Sequence, residues 1–311
     1  MTHSRHSSPF HPTPPVYPFR DRELRNRFLQ LVRERLGRGG RNVVIDNGMA
    51  CVEGEPFVHG LSNLAGTCHM APPAMWPRLV DEHFAKSDPG QLLGVLEDVA
   101  SSDYAAQADR LVVRIHDQRV AQASWADHVL HRVDLPTTCS VLALDIGPSV
   151  MPVPKPIAEA WAVPVPELFA CAMRNLPNLS KARWTRLPLL HLGDAVDVLS
   201  EDFHAAAHVL DAATFRDRTG RLGNLVGIPA RGVLLSYRLE AAPTGLLLQT
   251  LLAMTHGKYH DGPGPITPHL FWRDLDGRFH VQYGSSDGVR ARFVPTAEFL
   301  AAMAAGGAPP A

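Results

Sequence analysis

Between Asp21 and Leu36 the apolar residues Leu24, Phe28, Leu31, Val32 and Leu36 recur at helical spacing, with Arg, Glu and Gln opposite them. That pattern predicts an amphipathic helix stopped by Gly37, Gly39 and Gly40. Asn42 to Asp46 and Met49 to Glu53 then flank Asn47-Gly48, a pair that tolerates the positive φ angles of a tight hairpin turn. Trp76, Leu79, Val80, His83 and Phe84 mark another helix, and Gln91 to Ala100 a further one. Leu111 to His116 reads as a strand from its β-branched content, as do Val141 to Ile146 and His128 to Leu135.

Pro152, Pro154, Pro156, Pro164 and Pro166 interrupt the pattern and predict a turn-rich connection, so a lobe boundary is expected near residues 135–160. Beyond it, Leu168, Phe169, Ala172, Met173 and Leu176 give one helix its buried face, ended by Pro177. Ser200 with Glu201 and Asp202 reads as the capped, acidic start of a helix running through Leu210 toward Phe215. Leu225 to Ile228 and Val233 to Tyr237 suit a hairpin, Leu246 to His256 a helix, and Thr267 to Arg273 with Arg278 to Tyr283 a closing hairpin. Helices and antiparallel hairpins in this order predict an α+β protein: two lobes of helices packed on antiparallel or mixed sheets, the C-terminal lobe rich in hairpins. The expected division is a disordered arm over 1–19, lobes over 20–140 and 160–290, and a frayed tail over 304–311.

The pattern from Val163 to Tyr283 resembles the YtpQ-like family of bacterial proteins of unknown function. The words that carry it are Glu167-Leu168-Phe169 to Asn175-Leu176-Pro177, Glu201-Asp202-Phe203 to Leu210, Asn224 to Pro229, Val233 to Leu239, and Pro265-Ile266-Thr267. The resemblance implies a cytoplasmic α+β protein without an assigned reaction, so it carries over no catalytic residue.

Composition narrows the function classes. With 45% hydrophobic residues in 311, the chain is long enough for a sizeable core. Thirty basic against 31 acidic side chains leave a net charge of -1, so no overall field attracts nucleic acid or an anionic membrane. No apolar run approaches the roughly 18 to 20 residues that span a bilayer, and the Ser-, His- and Pro-rich start lacks the apolar core of a secretory signal. Four scattered cysteines without a Cys-x-x-Cys pair fit reduced thiols and a cytoplasmic protein.

Three constellations offer chemistry. His204 and His208, four apart on the expected helix, with Asp211 one turn on, present two nitrogens and a carboxylate to zinc or another divalent metal. They lack the Glu of a His-Glu-x-x-His protease and show no fourth ligand, and surface or boundary histidines are the plainer reading. Cys68-His69-Met70 groups soft ligands whose side chains alternate in an extended loop. His256, Lys258, Tyr259, His260 and Asp261 lie in a Gly-rich stretch read as a ligand-binding loop; a strand rather than a helix is expected after it, which disfavours a phosphate cradle. No nucleophile elbow, dinucleotide fingerprint or kinase motif is present. The expected function is a non-catalytic binding or accessory protein for an unknown protein or small molecule, needing no cofactor and contacting neither nucleic acid nor membrane. The alternative is a metal-dependent hydrolase built on the His204/His208 pair.

Overall fold

A computed structural model describes residues 17–55, 58–86, 89–124, 127–147, 149–201, 203–286 and 291–306. Most of the predicted arm, residues 307–311 of the predicted tail, Trp125 and Asp202 lie outside the described residues.

The first part of the chain wraps one small core. Helix α1 (Arg22–Leu36) is capped by Asp21, whose carboxylate accepts from the Glu23 N–H, and it buries Phe28, Val32 and Leu36. Tyr17 and Phe19, at the end of the segment read as an arm, pack on Phe28. Strands β1 (Val43–Asp46), β2 (Met49–Val52) and β3 (Val58–Gly60) form an antiparallel sheet, with Asn47 and Gly48 at positive φ as the Asn-Gly pair predicts. Helices α2 (Ser62–His69) and α3 (Trp76–Lys86) complete the unit. Trp76, Val80 and Phe84 of α3 face its core.

The middle of the chain builds a second sheet. After α4 (Pro89–Ser101) and α5 (Tyr104–Gln107) come β4 (Leu111–Asp117), α6 (Gln118–Ser124), β5 (His131–Arg132), β6 (Thr138–Asp145) and β7 (Val150–Pro152). β4, β5 and β7 all pair antiparallel with β6. The proline-rich connection is more ordered than the sequence predicts, since β7, α7 (Lys155–Ala160) and α8 (Val165–Leu179) all form within or beside it. Pro at the first turn of a helix costs nothing, because that N–H has no intrahelical partner, which suits Pro156 and Pro166. Pro177 lies inside the last turn of α8 rather than after it. Leu111 and Val113 of β4, with Leu142 and Leu144 of β6, pack against Leu168, Phe169 and Ala172 of α8.

The C-terminal part is a seven-stranded antiparallel sheet made of β8 (Arg183–Leu189), β9 (Asp194–Ser200), β10 (Asn224–Ala230), β11 (Val233–Arg238), β12 (Leu270–Arg273), β13 (Phe279–Ser286) and β14 (Ala291–Val294). Its order is β14-β13-β12-β10-β11-β9-β8. The β10–β11 and β12–β13 hairpins match the sequence expectation. Helices α9 (Gly245–Asp261) and α10 (Ala297–Gly306) cover one face, where Leu225, Leu235 and Trp272 meet Leu251, Leu252 and Phe299. On the other face Val226, Ile228 and Phe271 pack with Val209, Phe215 and Ile115 of β4, which joins the two larger sheets into one body. The chain is α+β with antiparallel sheets, as expected.

The helix predicted from Ser200 does not form. Ser200 closes β9, paired with both Val233 and Arg183. The capping residues it was read from serve other groups, and the chain then makes two short 3-10 turns, Ala205–Leu210 and Ala212–Phe215. Asp211 separates them in an extended conformation and caps the second through the Ala213 N–H.

Candidate functional site

Elements from all three parts of the chain converge on a cavity of about 920 Å³. Each contributes the side chains that its own periodicity turns inward. In the strand Leu111-Val112-Val113-Arg114-Ile115-His116, alternation sends Leu111 and Val113 to the α8 core and Arg114 and His116 to the opposite face. The ladder from β4 through β6 to β7 places Val150 and Pro152 on that same face, and all four residues line the cavity. On α3 the stripe Leu79, Glu82, His83, Lys86 lies beside the buried Trp76-Val80-Phe84 stripe, and on α9 the stripe Met254, Gly257, Lys258, Asp261 does the same work from the other wall.

The turn between β10 and β11 supplies Arg231, and its backbone is held at both ends. The Arg231 N–H donates to the Gly264 carbonyl at 2.9 Å, and its own carbonyl accepts from the Ala206 N–H at 3.0 Å. Gly264 sits at φ +68, and a Cβ there would come within 2.7 Å of the Arg231 side chain, so only glycine fits. The guanidinium lies over the Phe203 ring, 5.6 Å from its centre.

The charges around this space are unevenly satisfied. Glu201 is saturated: it accepts from the Ser180 hydroxyl at 2.6 Å, the Lys181 N–H at 2.8 Å and the His204 N–H at 3.0 Å. Glu82 pairs with Arg78 at 3.2 Å, and Asp261 faces His69 at 3.7 Å. Arg114, by contrast, has no carboxylate partner among the described residues. Burial and then the charge of Arg231 pull its pKa down to about 9. His116 is lowered to about 3 by burial, Arg114 and Arg231, and His83 to about 4 by burial, Arg231, His59 and Lys86. A desolvated guanidinium such as Arg114, with a second arginine as its main charged neighbour, favours a negatively charged visitor.

The residues singled out from sequence divide. Of the predicted loop, Lys258 and Asp261 line the cavity, whereas His256, Tyr259 and His260 do not. The segment is not a loop, because α9 continues through Asp261 and ends where the Gly262 N–H donates to the Lys258 carbonyl. The helical stripe therefore selects every third or fourth residue, and the buried Tyr259 turns toward Asp117 and Arg119. His256 is buried too, its pKa lowered to about 4 by burial and His260.

His204, His208 and Asp211 do not converge. His204 Nε2 is 3.3 Å from the Asp145 carboxylate, His208 Nε2 is 2.8 Å from the Ser180 hydroxyl, and Asp211 caps its turn. Their predicted stripe required an α-helix that the chain does not make. Among the described residues no three His, Cys, Asp or Glu side chains gather as a metal site needs. Cys68 is buried in α2, its thiol pushed up to about 12, while exposed Met70 reaches the cavity wall.

Sequence reasoning missed Arg114, His116, Arg231, His83 and Lys86. One signal was readable: an arginine in the middle of an otherwise apolar strand. Comparison with known protein families, with characterised proteins and with solved structures finds no match to this chain. Among the described residues no helix is long and apolar enough to cross a membrane.

Proposed function

We propose that the protein is a non-catalytic binding protein for a small anionic molecule, held in the cavity by Arg114 and Arg231 with Lys86 and Lys258 at the rim. The observation that carries this reading is Arg114: a desolvated guanidinium facing open space, with another arginine rather than a carboxylate as its dominant charged neighbour. A structural arginine in such a place normally has an acidic partner, because leaving a buried charge unmatched is costly. An anion of modest size supplies that partner, and planar guanidinium groups suit carboxylate and phosphate oxygens.

The same reading takes the protein as cytoplasmic, in keeping with four cysteines that form no disulfide. Kinship with the YtpQ-like proteins is part of the proposal. The words that carry the resemblance include Glu201 to Phe203, Asn224 to Pro229, the strand from Val233, and Pro265-Ile266-Thr267. These are the segments that surround Arg231.

Calorimetric titration with inorganic phosphate, sulfate and citrate tests the reading. Saturable binding by at least one of them is expected, weakened in Arg114→Met and in Arg231→Met. Absence of binding by all three at low ionic strength would overturn it.

A further inference from the structure

The cavity is not uniformly polar, and its apolar part bears on what fills it. Leu79, Val150, Phe203, Val233 and Met254 line the same space as the cations, and all five are only half-buried. They come from α3, β7, the 203 turn, β11 and α9, so the greasy surface is spread around the walls rather than collected in one spot. Three of these side chains keep water contact in the cavity although they neighbour a closed core: Leu79 packs on the core of the first unit, and Val233 and Met254 on the core beneath α9.

An inorganic anion would satisfy Arg114 and leave that surface wet. A volume of about 920 Å³ is also far larger than a phosphate needs and falls in the range of sites for organic ligands. Resting on the anion reading above, we infer that the ligand is an amphipathic organic anion: a phosphate or carboxylate head at Arg114 and Arg231, with an apolar body against Leu79, Val150, Val233 and Met254. The lining carboxylates Glu82, Glu201 and Asp261 already have partners, so they do not compete for the cations that hold the head.

The guanidinium of Arg231 lies over Phe203, which fixes where head and body meet. An alkyl chain leaving the head toward Met254 and Leu79 would remove water from both walls at once. Burying several methylene groups strengthens binding by roughly tenfold or more over the bare head group.

Titration of the full chain with inorganic phosphate, hexyl phosphate, hexanoate and hexanol separates the possibilities, with the alkyl probes kept below their self-association range. Hexyl phosphate is expected to bind at least about tenfold tighter than phosphate, with hexanol binding weakly or not at all. Which of hexyl phosphate and hexanoate binds more tightly identifies the head group. Met254→Gln and Leu79→Gln, each checked for an unchanged melting profile, should remove the advantage of the alkyl chain while leaving phosphate affinity within about twofold. Should phosphate bind while the hexyl chain adds nothing, or should the gain survive both substitutions, the amphipathic class is wrong and the anion reading stands. If neither phosphate nor either hexyl anion binds, the anion reading itself fails, and this inference with it.

Discussion

β10 and β4 both carry polar side chains among apolar neighbours, yet they treat them differently. In β10 every residue is buried, and the Asn224 amide donates to the Arg218 carbonyl at 2.6 Å and to the Ser236 hydroxyl at 3.2 Å. Its amide N–H donors are used inside the sheet, although its buried Oδ1 accepts from no group among the described residues. In β4 the outward Arg114 faces a cavity and has no carboxylate partner among the described residues, and the strongest charge near it, Arg231, repels. A buried polar group with internal partners fixes the fold, whereas one whose partner is missing is arranged for something that arrives from outside.

The largest expected effect follows from removing the cations of the second kind. Arg114→Met combined with Arg231→Met should weaken anion binding by roughly 100-fold or more, the scale of two charge-assisted contacts. Calorimetry on the double variant reads this directly. Retained affinity would erase the distinction between the strands.

Asn224→Ala probes the other side of the comparison. It removes two donors from inside the sheet and should destabilise the fold by about 1–3 kcal/mol, read by denaturant unfolding, with anion affinity unchanged. A loss of affinity without a loss of stability would place Asn224 in the binding apparatus instead.

Titration sharpens the contrast further. His83 and His116 hold protons less tightly folded, at about 4 and about 3, than at the ordinary 6.5 of the unfolded chain. The unfolded state therefore takes up protons first as pH falls. Stability is full above about pH 6.5 and declines below it, down to about pH 4 for His83 and about pH 3 for His116. Each group contributes a slope near 1.4 kcal/mol per pH unit within its window. His116→Gln should flatten the decline by about one proton's worth, measurable as the pH dependence of unfolding free energy; an unchanged slope would mean that His116 titrates normally.

The smallest effect concerns how the cavity's walls are joined. A Cβ on Gly66 would lie 3.0 Å from both the N and Cα atoms of Pro263, backbone that cannot swing aside. Gly66→Ala should cost roughly 1–2 kcal/mol of stability by pushing α2 off the end of α9, read as a lowered Tm.

The legible part of this molecule is the part governed by local rules. Asn47-Gly48 fixed its hairpin because few residues accept positive φ, and the β10–β11 and β12–β13 hairpins followed from short apolar runs around turn residues. Where a local signal had two uses, the reading went astray. Ser200, Glu201 and Asp211 are helix-capping types, yet Ser200 finishes a strand, Glu201 ties Ser180, Lys181 and His204 together, and Asp211 splits two short turns. The glycines after His256 read as a loop, although α9 runs through Gly257 to Asp261.

The site was less legible than the fold because its residues come from α3, β4, the 231 turn and α9, far apart in sequence. Lys258 and Asp261 were reached through a mistaken loop, and Arg114 only through its oddity within a strand. What makes Arg114 informative is that no carboxylate among the described residues pairs with it, a property of the assembled walls that spacing along the chain does not encode.

Arg114→Met alone therefore tests the central claim most directly, by thermal unfolding with and without inorganic phosphate. If Arg114 is kept for an external anion, removing its unmatched charge should raise the Tm of the free protein, by about 1 kcal/mol in stability, and weaken the stabilisation that phosphate gives. A lower Tm together with an undiminished response to phosphate would show instead that Arg114 holds the fold together and that the cavity has no anion site built on it.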